Sequence, residues 1–279
     1  MRKKIPFMLI TVVSMISVYA NYVSAQEITL PNQVWDVEVI RGEGQPVIPL
    51  YDGWFQNEDG TKTICFSYFN MNTEESFDVP MGEMNYLSGP EEYDVLLPTH
   101  FDPLPIEYRH VFCAFTVTVP ESFGVTDEIW WYITTNGEEL RVPGKVIPAY
   151  IMDEPSSSGR GGLAPLISFS SDGEAVRGRK GIVHEQILSA RVDQPLSLQA
   201  WIQHPGEEVW VGWAHHSGPG AVGFDEREYT MASNQSTAVE VTFSEPGDYV
   251  IRLQSIDDID EFEYYCCHTN AYFKVSVKN

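Results

Sequence analysis

The sequence predicts an all-β protein made of two β-sandwich domains that follow a cleaved signal peptide. Short aromatic and β-branched runs alternate with turn signals, and no window of about 11 residues or more has a helical period. The 279 residues exceed the size of one sandwich of about 100 residues. A single Ser/Gly-rich run divides the chain near its middle. Together these observations define the predicted fold class.

The N-terminus has the features of an export signal. Basic residues at positions 2–4 precede an apolar run from Ile5 to about Ala20, and Val23-Ser24-Ala25 supplies a small-x-small cleavage site. No second long apolar segment follows. We therefore expect residues 1–25 to be removed. The mature protein is expected in the periplasm or outside the cell, without membrane insertion.

The chain is strongly acidic. It carries 17 Lys+Arg against 40 Asp+Glu, and loss of the signal removes three of the basic residues, leaving a formal charge of about −26. Nucleic acids and anionic membranes attract clustered basic residues. The charge therefore argues against both as partners, and it favours either simple solubility or binding of divalent cations.

The Ser/Gly-rich run at 153–163 predicts a linker between two domains. The first domain is then 27–152 and the second is 164–279. In an exported chain of this length, both halves can bury a core of their own.

Strand signals occupy most of the first domain, apart from a proline-rich connection at 81–108 that is expected to be irregular. The dipeptides Asp59-Gly60 and Asn136-Gly137 predict two tight hairpins, because their residues tolerate the positive φ of such turns. The predicted strands are Tyr51–Phe55, Thr63–Phe69, Phe77–Val79, Arg109–Val119, Glu128–Thr135 and Glu138–Val146.

The second domain has strand signals at sandwich-like spacing, with a turn at Pro246-Gly247. Alternation along one strand places Val209, Val211 and Trp213 on one face and Trp210 on the other. Trp213 is therefore expected in the core. The predicted strands are Pro195–Ile202, Glu208–Trp213, Thr237–Phe243, Asp248–Ser255 and Ala271–Val277.

Two segments of the second domain carry a resemblance to a known fold family. The stretch 210–224 has a central tryptophan strand, and 241–253 has Phe243, a Pro-Gly turn and Tyr249. This pattern resembles the Ig-like sandwich of polycystic-kidney-disease (PKD) type domains. It departs from them after Trp213, where Ala214-His215-His216 replaces their usual Asp-Phe-Gly. A broader Ig-like or cadherin-like sandwich therefore stays open.

The segments 53–60, 66–72 and 98–101 resemble an uncharacterised family of exported bacterial proteins. Members pair a similar N-terminal half with an Ig-like C-terminal half that often contains adjacent cysteines. The resemblance implies architecture and location, and it brings no activity.

The four cysteines are expected to be oxidised in an exported protein. Cys65 and Cys113 lie in two predicted strands of the same half, and they are predicted to form a disulfide. Cys266 and Cys267 are adjacent. They could form a strained vicinal disulfide, remain thiols or pair elsewhere.

Trp130 and Tyr132 are the strongest candidates for ligand contact. On the strand 128–135, Ile129, Trp131 and Ile133 share one face, which leaves these two rings about 6.5 Å apart on the other. They could bind a sugar ring or an apolar protein surface. The alternative is that the 81–108 connection covers them, with Phe101 and Tyr108 among its candidate contacts. Trp210 is a third candidate, and Trp54 a weaker one.

The sequence contains two candidate metal sites. Carboxylates before the last strand could bind Ca²⁺, although their spacing is not that of an EF-hand; a solvated acidic loop is the alternative. A soft-metal site of histidines and cysteines is disfavoured, because antiparallel pairing would separate the two groups by a strand length of about 23 Å. The calcium candidates are Asp257, Asp258, Asp260, Glu261 and Glu263, and the soft-metal candidates are His215, His216, Cys266, Cys267 and His268.

The sequence favours non-catalytic binding of a protein or glycan in the cell envelope or the extracellular medium. No catalytic motif is found, and no resident cofactor is predicted beyond the calcium site. One alternative is a hydrolase of an extracellular polymer with a site near the 81–108 connection, where the candidates are His100, Asp102, Glu107 and His110. Another is a structural spacer or assembly subunit.

Overall fold

The computed structural model describes residues 41–90, 92–104, 110–152, 163–257 and 268–279. Within these ranges the chain consists of strands, loops and one short 3-10 turn at Pro148–Tyr150, which confirms the all-β prediction. None of the described segments forms a helix long and apolar enough to cross a bilayer. The predicted signal peptide, and the predicted linker except Leu163, lie outside the described residues.

The first half is a sandwich of two three-stranded antiparallel sheets, together with a two-stranded ribbon. Its strands are β1 (Val47–Gln56), β2 (Lys62–Asn70), β3 (Phe77–Asp78), β4 (Asn85–Ser88), β5 (His100–Phe101), β6 (His110–Val119), β7 (Ile129–Thr135) and β8 (Glu138–Gly144). One sheet has the order β1-β2-β6, the other has the order β4-β7-β8, and the ribbon pairs β3 with β5.

An aromatic cluster fills the space between these two sheets. Phe66 of β2 stacks on Phe115 of β6 with ring centroids 5.1 Å apart, and Trp131 of β7 meets Phe115 edge-on at 4.9 Å. Ile129, Trp131 and Ile133 are fully buried, so the predicted inner face of β7 is confirmed. The indole Nε1 of Trp131 donates to Oδ1 of Asn85 at 3.0 Å, which satisfies its buried polar atom.

Both predicted hairpins are confirmed. Asn136 and Gly137 adopt φ values of 50° and 75° between β7 and β8, as a two-residue type I′ turn requires. Gly60 has φ of 87° between β1 and β2, where Asn57 N–H donates to Thr61 O at 2.8 Å. The expectation of an irregular 81–108 segment is wrong in part, because this segment contains β4 and β5.

The second half is a larger sandwich. Its first strands are β9 (Leu166–Ser168), β10 (Val176–Arg177), β11 (Ile182–Val183), β12 (Leu188–Arg191) and β13 (Leu196–Gln203). The rest are β14 (Glu208–Ser217), β15 (Val222–Phe224), β16 (Glu228–Ala232), β17 (Gln235–Phe243), β18 (Gly247–Ile256) and β19 (His268–Lys278). One sheet has the order β10-β9-β13-β17-β15 and the other has the order β11-β19-β18-β14-β16, where β12 also pairs with β19. The sequence pattern predicts the five longest of these strands and does not predict the six shorter ones.

This strand order is that of an immunoglobulin-like sandwich. In the standard strand nomenclature of the immunoglobulin fold, the first sheet contains the equivalents of strands A, B, E and D, which are β9, β13, β17 and β15. The second sheet contains the equivalents of strands C, F and G, which are β14, β18 and β19. Trp213 of β14 is buried in the core, as predicted. Near the start of β18, Tyr249 Oη donates to Glu245 O at 2.9 Å, which is the tyrosine corner of this fold.

Candidate functional site

An aromatic surface lies on the outer face of the β4-β7-β8 sheet. We call Tyr86, Trp130, Tyr132 and Arg141 the aromatic platform. Tyr86 and Tyr132 are direct cross-strand neighbours whose rings stack at 4.6 Å with planes only 3° apart. The rings of Trp130 and Tyr132 are 6.4 Å apart. The Arg141 guanidinium lies 5.0 Å from the Trp130 ring and 5.6 Å from the Tyr132 ring.

Polar contacts hold the platform in one arrangement. Trp130 Nε1 donates to Glu128 at 2.9 Å, and Glu128 also pairs with Lys145. The hydrogen bond from Lys145, followed by that from Trp130, lowers the pKa of the Glu128 carboxyl. Arg141 donates to Tyr132 Oη at 3.3 Å. The rings are partly exposed and Arg141 is exposed, so the platform is both ordered and accessible.

Among the described residues of the 81–108 connection, Phe101 does not cover the platform. Phe101 is fully buried on the inner side, where its ring lies 6.5 Å from that of Trp131. Tyr108 lies outside the described residues. The connection instead contributes Tyr86 to the platform, through the unpredicted strand β4.

The other two tryptophan candidates lie elsewhere. Trp54 is buried and donates to Ile147 O at 2.8 Å, so it belongs to the core. Trp210 is partly buried on the outer face of β14, where its ring covers Gly212 so closely that a Cβ there would lie 2.1 Å from it.

The second candidate site is a polar cluster that lies where the two halves meet. We call Asp78, His100, Asp102, His215 and Arg227 the junction cluster. His100 Nδ1 is 2.7 Å from Asp78 Oδ1, and its Nε2 is 3.0 Å from Asp102 Oδ1. Arg227 donates to the other oxygen of Asp102. The rings of His100 and His215 stack with centroids 4.3 Å apart.

The junction cluster raises the pKa of His100 and lowers the pKa of His215. Burial lowers the pKa of His100, but hydrogen bonds to Asp102 and Asp78 outweigh it and raise the value overall. Burial, reinforced by the charge of His100, lowers the pKa of His215 to about 4. For Asp102, burial raises the pKa, but His100 and Arg227 lower it below its ordinary value. At neutral pH, His215 is therefore a neutral imidazole.

Backbone contacts continue this junction along β14. Thr99 N–H donates to His216 O at 2.9 Å, and Gly218 N–H donates to Thr99 Oγ1 at 3.1 Å. His216 Nε2 lies 2.7 Å from Leu96 O; because a carbonyl can only accept, this nitrogen carries the proton. Deeper in the junction, Arg252 donates to Ala114 O at 3.2 Å.

The four residues considered for hydrolysis are not all placed together. His100 and Asp102 belong to the junction cluster, and Glu107 lies outside the described residues. His110 has different partners: its Nε2 is 2.8 Å from Ser67 Oγ and 3.2 Å from Asp52 Oδ1.

The Asp52, Ser67 and His110 group has the residue types of a hydrolytic triad but not its geometry. In a working triad, the acid orients one ring nitrogen while the other activates serine. Here both contacts involve Nε2, and Ser67 Oγ donates to Asp52 Oδ1 at 2.5 Å. Ser67 is also fully buried. Asp52 also accepts from Cys113 N–H at 2.7 Å, at the place where the register between β2 and β6 shifts.

The predicted disulfide between Cys65 and Cys113 is present. It joins β2 to β6 in a small buried cluster with Phe55, against which Met152 packs. Cys113 has φ of 42°, an unusual value for a non-glycine residue. The Asp52 contact to its N–H stabilises this local conformation.

Most residues of the predicted calcium loop lie outside the described ranges. Asp257 is buried, with Oδ2 3.8 Å from His204 Nε2. Asp258, Asp260, Glu261 and Glu263 are not described, so the calcium site remains a prediction. Cys266 and Cys267 are likewise not described. The antiparallel pairing of β14, β18 and β19 is confirmed, with His215 opposite Ile251 and His268 opposite Ile256.

Comparisons with known proteins give only remote likenesses. No family profile and no curated protein matches the chain. The D00-D0 domain of intimin is 9% identical with a TM-score of 0.28, over 84% of this chain and 100% of that one. Domains 4 and 5 of the S-layer protein SbsC are 10% identical with a TM-score of 0.25, over 84% and 98%.

The E. coli chaperone DraB is 10% identical with a TM-score of 0.27, and the match spans 33% of this chain and half of the chaperone. Likenesses this remote carry no argument about function. The PKD-type and exported-family resemblances therefore stay expectations.

Proposed function

We propose that this chain is an exported, non-catalytic binding protein, and that the aromatic platform is its contact surface for a protein partner in the cell envelope or outside the cell. The observation that carries the proposal is the ordered set of Tyr86, Trp130, Tyr132 and Arg141 on one sheet face. Tyrosine, tryptophan and arginine are the residue types that dominate binding energy at protein interfaces.

Preorganisation supports this role. Stacking between Tyr86 and Tyr132, and the hydrogen bonds of Trp130 and Arg141, fix side chains that would otherwise lose rotamer freedom on binding. Rigid aromatic side chains bury a large area at a small entropic cost. The platform can therefore bind a partner without first rearranging.

Two exposed methionines lie in the sequence just before β4, the strand that supplies Tyr86. Met84 precedes β4, its side chain is 50% exposed, and its backbone oxygen accepts from Thr134 N–H of β7 at 2.8 Å. Met81 is 66% exposed in the same segment. Flexible thioethers adapt to irregular partner surfaces. Exposed methionines beside this strand favour a protein partner over a small ligand.

The charge of the chain suggests the character of the partner. With a formal net charge of −23, the protein attracts basic surfaces over a distance and repels acidic ones. Arg141 is an exposed cation within this acidic background. We expect a partner with a basic rim and a carboxylate that pairs with Arg141.

A glycan is the second candidate ligand. The rings of Trp130 and Tyr132 are 6.4 Å apart and inclined by 41°, and partly exposed aromatic rings can pack against sugar rings. The inclination gives a bent platform, and a single straight chain of sugars would contact both rings less fully than a contoured protein surface would.

The direct test is capture of envelope and culture-medium components on the mature protein, alongside a glycan array. We expect a protein partner whose retention falls at least tenfold, about 1.4 kcal/mol, when Trp130 and Tyr132 are both changed to Ala. Arg141→Ala should weaken retention at low salt more than at high salt. Binding only on the glycan array, lost in the same double variant, would favour the second candidate.

Tyr150→Ala is the matched control, because Tyr150 is a 49% exposed aromatic residue of the same sandwich outside the platform. It should leave retention unchanged. A partner retained equally by the platform variants would contradict the proposed surface. Turnover of an extracellular polymer by the wild-type protein would favour the hydrolase alternative, and the absence of any ligand would favour a structural spacer.

A further inference from the structure

The junction cluster contains a set of side chains that matches a transition-metal site. Asp78, His100 and His215 each offer one ligand atom, and these atoms all lie within 4.8 Å of one another. Atoms bound to one Zn²⁺ at about 2.1 Å in a tetrahedral site are about 3.4 Å apart. Small side-chain rotations are therefore enough to bring the three groups onto one ion.

The fold explains why these residues meet. Asp78 and His100 face each other as a register pair of the β3-β5 ribbon. His215 comes from β14 of the second sandwich and stacks on His100 at 4.3 Å. The backbone bond from Thr99 to His216 O, 2.9 Å long, fixes the approach of the two strands. The ligand set is therefore held from both halves of the protein.

His215 has the features of a ligand without its ion. It is only 4% exposed, and neither ring nitrogen has a hydrogen-bond partner of normal geometry among the described residues. A buried polar atom without a partner costs about 1–3 kcal/mol. Coordination of a metal would satisfy one of these nitrogens.

His100 is oriented as metal-binding histidines are. Its Nε2 is 3.0 Å from Asp102 Oδ1, and Asp102 is itself held by Arg227. This leaves Nδ1 facing Asp78 at 2.7 Å. A carboxylate on the far nitrogen of a ligating histidine fixes the ring and raises its basicity. A metal ion would take the place of the proton between His100 and Asp78.

We propose that Asp78, His100 and His215 form a site for a divalent transition-metal ion of the zinc type. Two imidazoles and one carboxylate suit Zn²⁺ and its neighbours, whereas Ca²⁺ and Mg²⁺ prefer sets made of oxygen alone. Three protein ligands leave at least one position for water. Asp78 is 56% exposed while His100 is 12% exposed, so the ion enters from the Asp78 side.

The site would also join the two halves. Asp78 and His100 belong to the first sandwich, and His215 belongs to the second, so one ion would bridge them. Because the folded chain binds the ion through residues from both halves, binding adds to the stability of the folded state. This role is independent of the aromatic platform, and its test is independent of any partner.

The test is titration of the untagged, metal-stripped mature protein with Zn²⁺ by isothermal calorimetry, with thermal unfolding as a second readout. We expect one tight equivalent per chain and a higher midpoint of unfolding when zinc is present. Asp78→Asn and His215→Gln should each weaken that equivalent at least tenfold and remove the zinc-dependent rise. Asp78 is exposed enough for its variant to fold, which circular dichroism would verify.

His184→Gln is the matched control, because it removes a histidine of the second sandwich that is not in the cluster. It should bind zinc as the wild type does. Zinc binding that survives both ligand variants would overturn the assignment and point to another site, such as the Cys266-Cys267 segment. Absence of any saturable zinc binding by the wild type would also overturn it.

Discussion

The imidazole rings of His100 and His215 stack 4.3 Å apart, with planes inclined by 22°. The first ring is held between two carboxylates, and the second is buried without a partner of normal hydrogen-bond geometry among the described residues. Together they mark the place where the ribbon β3-β5 contacts β14 of the second sandwich. The same junction contains the ion pair of Asp102 and Arg227, so its polar groups are coupled.

That coupling leads to a prediction about stability. Asp102 is 22% exposed at its side chain and accepts from both His100 and Arg227. Asp102→Asn should destabilise the metal-free protein by about 1–3 kcal/mol, because it leaves the Arg227 charge without its counterion. A double-mutant cycle with Arg227→Met, measured by urea unfolding in EDTA, should give a coupling energy of about 1 kcal/mol or more. Additive effects would show that the pair is not coupled.

Buried histidines predict a loss of stability in acid. Burial, followed by the charges of Arg179 and Arg252, lowers the pKa of His268 well below its ordinary value. The folded state therefore keeps His268 neutral, while the unfolded chain binds a proton below about pH 6.5. Its contribution to stability is complete above that pH and is lost as the pH falls towards the folded value.

The measurement is urea unfolding between pH 7 and pH 5. Each buried neutral histidine can contribute a slope of up to about 1.4 kcal/mol per pH unit in this range. The slope should be smaller in His268→Leu than in the wild type. An equal slope in both proteins would show that His268 titrates normally in the folded state.

The disulfide predicts a redox-dependent stability. Cys65 and Cys113 are 48 residues apart and buried, so the bond restricts a long loop of the unfolded chain. The chain-entropy relation gives about 4 kcal/mol for a loop of this length. The variant with both cysteines changed to Ala should lose about 2–5 kcal/mol of unfolding free energy in urea. Reduction of this bond by dithiothreitol should lower the unfolding free energy of the wild type and not that of the variant. A loss of less than about 1 kcal/mol of unfolding free energy in the reduced wild type would contradict this prediction.

Local patterns in the sequence predict much of the core and of the hairpins. Alternation places Ile129, Trp131 and Ile133 in the core, the Asn136-Gly137 turn pairs β7 with β8, and Trp213 is buried as expected. These predictions depend on side-chain periodicity and turn chemistry within a few residues. The disulfide is also predicted, because its cysteines lie on two recognisable strands.

The missing parts of the platform depend on pairing between strands. Alternation indicates Trp130 and Tyr132, but Tyr86 and Arg141 join them only through the register of β4 and β8 with β7. Strand β4 has four residues and is surrounded by glycines and prolines. Such a short strand has no periodic signal of its own, because it is stabilised by its partner.

The junction cluster depends on contacts even more distant in the sequence. Asp78 lies in a two-residue strand, His100 lies in another, and His215 belongs to the other half of the chain. The sequence groups His215 and His216 with Cys266, Cys267 and His268, and it groups His100 with Asp102, Glu107 and His110. The packing of the two sandwiches instead pairs His100 with His215, and no local pattern encodes that contact.

We propose that the aromatic platform binds a partner. Hydrogen exchange of the mature protein, measured with and without the component retained from the envelope or the medium, would locate the contact surface. We predict slower exchange in β4, β7 and β8, around Tyr86, Trp130 and Arg141, with little change in β14 and β18. Slower exchange confined to the second sandwich, or none in the β4-β7-β8 sheet, would contradict the proposed binding surface.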